Sequence, residues 1–253
     1  MDRIENPIPQ IRETLAAKSD AKTIAATYRF FKENETLKTY GVKAAEVGKI
    51  AKESFQLVKA YPKQTIFELC ETLWQSGYLE EMTLACDWSE SLHKQFEPAD
   101  LALFEHWLSD YVSNWATCDT LCNHTIGYFL MKYPDEIAKL KLWTKSPNRW
   151  LRRGAAVSLI IPARKGLFLN DILEIADQLL LDKEDMVQKG YGWMLKAASM
   201  SESFVKGSDA VKKQHLEAVF NFVIKNKAIM PRTALRYAIE KMPEEMRGQA
   251  MVR

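Results

Sequence analysis

The strongest constraint on this chain is the spacing of its apolar residues. Val47, Ile50, Ala51, Ser54 and Val58 fall at i, i+3, i+4, i+7 and i+11, one stripe of a helix. After Tyr61-Pro62 the pattern restarts with Ile66, Leu69, Cys70 and Leu73, and proline suits the first turn of a helix, where its missing N–H costs nothing. The same spacing predicts helices near 20–34, 43–60, 63–76, 78–92, 98–112, 115–131, 134–144, 148–161, 168–182, 185–200, 209–226 and 231–242, with a capping helix from Glu244. Strand-like alternation is almost absent, and ten glycines and nine prolines in 253 residues are too few for many tight hairpins. Helix pairs recur roughly every 35–40 residues, the second often less polar than the first, as in stacked helical hairpins that bury a shared core. The expectation is an all-α fold, an α-solenoid over 1–253 as a single domain, with a concave groove suited to a polymer.

Charge narrows the partners. Thirty-five Lys and Arg against 33 Asp and Glu give a net charge of +2, so a polyanion would have to be held by a local basic surface. Cys70, Cys86, Cys118 and Cys122 contain no CxxC pair and do not form a disulfide framework, which predicts a reducing compartment. Met1 to Pro9 lacks the basic and apolar regions of a secretory leader, and no apolar run approaches the roughly 18 residues of a membrane helix. A cytoplasmic monomer without a membrane or obligate protein partner is expected. Neither GxxxxGK[ST] nor GxGxxG occurs, so nucleotide hydrolysis and dinucleotide chemistry have no support.

Three segments place polar or aromatic residues off the core stripe. With Cys118 at zero on a helical wheel, Leu121, Cys122, Thr125 and Phe129 lie within about 60°, while Trp115 and Asp119 stand one turn apart on the flank. In 148–161 the stripe is Leu151, Ala155, Ser158 and Leu159; Arg152 falls roughly 100° and Arg153 roughly 200° away, so both guanidinium groups can leave the core. In 185–200 the stripe is Val187, Tyr191, Met194 and Ala198, leaving Trp193 about 120° off it. Singly, each tryptophan reads as packing, each arginine as a solvated face and Asp119 as a surface acid. Together, an acid, arginines and two indoles on successive helical pairs can converge. Cys118, Cys122 and His124 lack a fourth zinc ligand, and the two thiols sit on the core stripe, so buried cysteines and no metal are expected. His93, His106 and His215 read as surface or helix-end residues, and Lys212-Lys213 as a solvated face.

Trp115-x-x-x-Asp119 with Thr120-Leu121-Cys122, Trp150-Leu151-Arg152-Arg153-Gly154-Ala155-Ala156, Gly190-Tyr191-Gly192-Trp193 and Tyr40-Gly41-Val42-Lys43 together resemble the AlkD-like DNA alkylation repair proteins, bacterial glycosylases built from HEAT-like helical repeats. The resemblance extends over nearly the whole chain. It implies Asp119 as the catalytic aspartate, Trp115 and Trp193 beside the lesion, and Arg153, with Arg152 as its adjacent alternative, gripping the DNA backbone. Tyr28 resembles a further DNA-contacting position, and Lys43, Arg149 and Lys189 are candidate phosphate contacts near helix starts. The implied reaction is excision of cationic N3- and N7-alkylated purines from double-stranded DNA, with no cofactor or metal. The same groove also suits a non-catalytic binder of duplex or branched DNA and, on fold alone, a scaffold for a protein partner.

Overall fold

In a computed structural model, which describes residues 6–31, 37–200 and 209–252, the periodic segments are α-helices. The described residues contain no strand beyond an isolated bridge between Lys38 and Tyr78. Contacts divide the chain into two compact units, Met1–Leu121 and Cys122–Arg253.

The first unit holds α1 (Ile8–Ala17), α2 (Ala21–Phe30), α3 (Ala44–Val58), α4 (Lys63–Gln75), α5 (Leu79–Ser91), α6 (Asp100–Asp110) and α7 (Trp115–Thr120). Helix α5 packs on both α3 and α4, and α7 packs on α5. The core is aromatic. Trp74, Trp88 and Trp107 are almost completely buried; Trp74 stacks on Trp107 at 6.1 Å between ring centroids, and Phe67 meets Phe104 and Trp107 edge-on at 5.9 Å. Burial of each phenylalanine contributes roughly 1.5–3 kcal/mol, and each favourable ring pair about 0.5–1.5 kcal/mol more. Trp88 Nε1 donates to the Ala51 carbonyl at 3.1 Å, so that indole is buried without an unmet donor.

Helix α1 lies outside the predicted helices. Its buried Ile8, Ile11 and Leu15 keep helical spacing, and Pro7 and Pro9 stand at the cap and in the first turn, where proline is tolerated. Helix α2 has Asp20 as its cap, accepting from the Thr23 N–H at 3.0 Å. Its predicted continuation through 32–34 lies outside the described residues.

The second unit holds α8 (Gly127–Lys132), α9 (Ile137–Trp143), α10 (Arg149–Val157), α11 (Ile160–Arg164), α12 (Leu169–Gln178), α13 (Asp185–Ser199), α14 (Asp209–Asn226), α15 (Arg232–Ile239) and α16 (Glu244–Met251). Helix α13 is central, packed by α10, α11, α12, α14 and α15. The predicted helix 115–131 is α7 and α8 separated by a π-helical turn, Leu121–Ile126. The predicted helix 148–161 ends at Val157 and restarts as α11. Pro162 lacks the N–H that would bond Ser158, and its ring crowds that carbonyl. Gly127 then approaches the same carbonyl closely enough that a Cβ would stand 3.2 Å from it.

His215, expected at the surface or a helix end, is instead 7% exposed on α14, with Nδ1 meeting no partner among the described residues. Burial holds its pKa below the usual 6.5, so the unfolded chain binds a proton that the folded chain refuses. Stability is therefore expected to fall as pH drops below about 6.5 and to continue falling until the lowered folded pKa is reached. Thermal unfolding of His215→Gln between pH 7 and 5 should show a shallower decline than wild type; equal slopes would remove His215 as the cause.

Candidate active site

Asn114 sets the start of α7. Its Oδ1 accepts from the Thr117 N–H at 3.0 Å, while Nδ2 is buried without a partner among the described residues. Cys118, Leu121, Cys122, Thr125 and Phe129 are fully buried, as the wheel predicts, and Trp115 and Asp119 are half-buried one turn apart. The ring of Phe31 stacks near Trp115 at 5.7 Å and Phe30 meets it edge-on at 5.3 Å, so the end of α2 shapes the indole's surroundings. Trp115 also lines an apolar cavity of about 430 Å³ together with Thr27, Val42, Val47, Leu79 and Glu80. Tyr28, 53% exposed on α2, and Lys43, exposed at the start of α3, are available to solvent.

A buried clamp fixes one wall of that cavity. Glu80 accepts from the hydroxyl of Thr39 at 2.7 Å and from the N–H groups of Tyr40, Gly41 and Val42 at 3.0, 2.9 and 3.1 Å. Glu81 receives the Arg12 guanidinium at 2.9 Å and the Tyr40 hydroxyl at 2.7 Å; burial, and then that bond to Glu81, pushes the Tyr40 pKa up. Gly41 has a φ of 76°, and a Cβ there would lie 2.3 Å from Ile24 Cγ1, so only glycine fits. The Tyr40-Gly41-Val42 motif is thus a loop pinned to α5. Helical spacing does not single out Glu80 and Glu81, because their partners lie 38 to 69 positions upstream.

Three of the candidate phosphate-contacting cations of the second unit are engaged by acids. Arg152 Nε donates to Asp182 at 2.6 Å and Nη1 to the carbonyls of Ser146 and Pro147; Lys189 pairs with Asp185 at 2.7 Å, and Arg149 with Glu184 at 3.7 Å while lying over the Trp150 ring. These residues come together where α10 meets the start of α13. Arg153 differs from expectation: it does not leave the core. It is 4% exposed and donates to the Met186 carbonyl. The wheel assumed one buried face, but α10 is covered by α13 on the side opposite Leu151, where a Cβ on Gly190 would sit 3.3 Å from Arg153 Cγ.

The Gly190-Tyr191-Gly192-Trp193 motif divides its labour. Gly190 makes room for Arg153, and the buried Tyr191 donates to the Leu180 carbonyl at 3.1 Å. Gly192 lies against α15, where a Cβ would meet Tyr237 Cβ at 2.7 Å and the Ala234 carbonyl at 2.8 Å. Trp193 alone turns outward, half-buried, into a cleft of about 420 Å³ lined also by Arg164, Lys196, Met200 and Lys241. Trp115 and Asp119 therefore belong to the first unit, and Arg149, Arg152, Arg153, Lys189 and Trp193 to the second.

All four cysteines are free and buried, and burial pushes the Cys70 thiol pKa up. Among the described residues no three His, Cys, Asp or Glu side chains are grouped to hold a metal ion, and no helix is long and apolar enough to cross a membrane.

The sequence model of a family described as DNA alkylation repair enzyme matches residues 11–242. The chain belongs to that family. Among solved structures it is similar to one described as a predicted DNA alkylation repair enzyme from Enterococcus faecalis, with a TM-score of 0.71 at 16% identity, covering 90% of this chain and 98% of that one. At that identity the likeness establishes a shared all-α fold. No curated protein matches the sequence. Family membership makes this a DNA alkylation repair protein, and the marks that carried the resemblance lie inside the matched region.

Proposed function

We propose that this protein is a DNA glycosylase that hydrolyses the N-glycosidic bond of cationic N3- and N7-alkylated purines in duplex DNA. The observation that carries the reading is the pairing on one flank of α7 of Trp115 and, one turn later, Asp119, both half-exposed above a buried stripe in a chain of a DNA alkylation repair family.

An N3- or N7-alkylated purine carries a fixed positive charge. When the C1′–N9 bond breaks, its electron pair moves onto the purine and neutralises that charge, leaving an oxocarbenium-like sugar. The Asp119 carboxylate stabilises the developing cation and orients the water whose oxygen bonds C1′ and whose proton passes to solvent. The Trp115 indole offers CH–π contact to deoxyribose and cation–π contact to the charged base, and the resemblance gives Trp193 a like role toward the DNA. A neutral purine gains neither the good leaving group nor the cation–π term. Tyr28, Lys43, Arg149, Arg152 and Lys189 contact the DNA, the paired cations exchanging carboxylate for phosphate, and Arg153 acts by holding α10 on α13. The reaction needs only water and these side chains.

The test is release of free base from a duplex containing N7-methylguanine under single-turnover conditions. Wild type should release it, and Asp119→Asn should be slower by about 10²–10³, the usual loss for one group aimed at developing charge. An unchanged rate in the variant would overturn the role of Asp119. No release by wild type, with salt-dependent DNA binding retained, would replace the glycosylase by a non-catalytic DNA binder. No DNA binding would leave the scaffold reading.

A further inference from the structure

The cleft beside Trp193 combines two kinds of wall. Trp193, Ala197 and Met200 supply an apolar face, and Arg164, Lys196 and Lys241 bring three cations from α11, α13 and the turn after α15. Their nearby acid is Glu240, which accepts from Lys196 at 2.8 Å and Lys241 at 3.3 Å and so serves two lysines at once. Lys196 also lies 5.5 Å from the centre of the Tyr237 ring. Arg164 is exposed at the last position of α11, with no hydrogen-bond or ion-pair partner among the described residues.

This balance differs from that at the start of α13, where Arg149, Arg152 and Lys189 each face an acid of their own. Among the described residues around Trp193 the three cations face the single acid Glu240, and excess positive charge beside an indole is what a phosphodiester with its sugar would require. Guanidinium forks and ammonium groups hold phosphate oxygens, while an aromatic face takes the C–H surface of the sugar or the face of a base. A planar ligand without an anion would leave the cations unused, and a free anion would leave the apolar face unused.

We propose that this cleft seats one backbone phosphate of a DNA strand on Arg164, Lys196 and Lys241, with the adjoining sugar against Trp193. The inference rests on the reading of the protein as acting on DNA, and adds to it a phosphate site separate from the paired cations at the α10–α13 junction. Seating the strand here would fix its register along Trp193 and make Arg164 and Lys241 positioning residues.

The experiment is the salt dependence of duplex binding, followed by fluorescence anisotropy, for wild type, Arg164→Ala/Lys241→Ala and a control pair, Lys212→Ala/Lys213→Ala, which removes the same charge from α14 outside the cleft. One lost phosphate contact lowers the slope of log K against log salt by about 0.9, so the cleft pair should lose about one unit of slope and bind several-fold more weakly at low salt, while the control keeps the wild-type slope. A single neutral methylphosphonate at the seated position should weaken wild type and leave the cleft variant unaffected. Equal slopes in the two variants, while wild type binds, would overturn the cleft and leave the DNA reading standing. Failure of wild type to bind would overturn both. Inorganic phosphate at matched ionic strength that displaces DNA from wild type but not from the cleft variant would assign the cleft to a free anion and overturn the backbone form.

Discussion

Glu80→Ala is expected to destabilise the first unit by about 3–5 kcal/mol, measured as a shift of the urea unfolding midpoint. The side chain is 3% exposed and serves four donors, three of them backbone N–H groups of consecutive residues. Each donor left buried without an acceptor costs about 1–3 kcal/mol. Gly41 retains its second acceptor, the Thr39 hydroxyl at 2.9 Å, so the sum is not fully realised. Glu80→Gln keeps one oxygen but turns an amide toward a donor, and should lose less. The loop so released forms one wall of the cavity beside Trp115, so base release should fall with Glu80→Ala even under conditions where the variant remains folded. A midpoint within experimental error of wild type would mean that the loop is held by its other contacts.

Gly192→Ala should cost about 2–3 kcal/mol by thermal or urea unfolding. In most helices the substitution helps by up to about 1 kcal/mol, because alanine restricts the unfolded chain. Here the new methyl group meets Tyr237 Cβ at 2.7 Å and the Ala234 carbonyl at 2.8 Å, atoms of the α15 backbone or next to it that cannot rotate away. Helices α13 and α15 must separate, and overpacking of that kind costs about 1–3 kcal/mol, sometimes more. Gly48→Ala on α3 is the matched control: nothing lies within 4 Å of its Cβ position, so the propensity gain should stand alone and stabilise. Two stabilising outcomes would mean that α15 yields at little cost. Because Trp193 adjoins Gly192, the destabilising variant should also weaken duplex binding.

The site was legible where its signal was local. The stripe Cys118, Leu121, Cys122, Thr125 and Phe129, and the flanking positions of Trp115 and Asp119, depend on the angle between neighbours on one helix, which sequence spacing states directly. The stripe Val187, Tyr191, Met194 and Ala198 and the outward Trp193 were readable for the same reason. Arg153 was misread because a wheel divides a helix into one wet and one dry face, whereas α10 runs under α13 and buries Arg153 through Val157 in succession. His215 failed similarly: polar sequence neighbours on α14 did not disclose the fold around it.

Sequence alone therefore determined the helical class, most of the helices, the buried stripe beneath Trp115 and Asp119, and the family to which the chain belongs. These follow from i, i+3 and i+4 spacing and from residue types that the chain displays without needing to be folded. Only the tertiary structure decided which cations are spent on acids, which are buried and which surround Trp193. It also decided that Glu80 pins Thr39 to Val42 and that Gly192 is the point of closest approach to α15. Apart from the local pairs Lys189–Asp185 and Lys241–Glu240, such pairings join residues tens of positions apart, and one partner's spacing contains no record of which helix face will cover it.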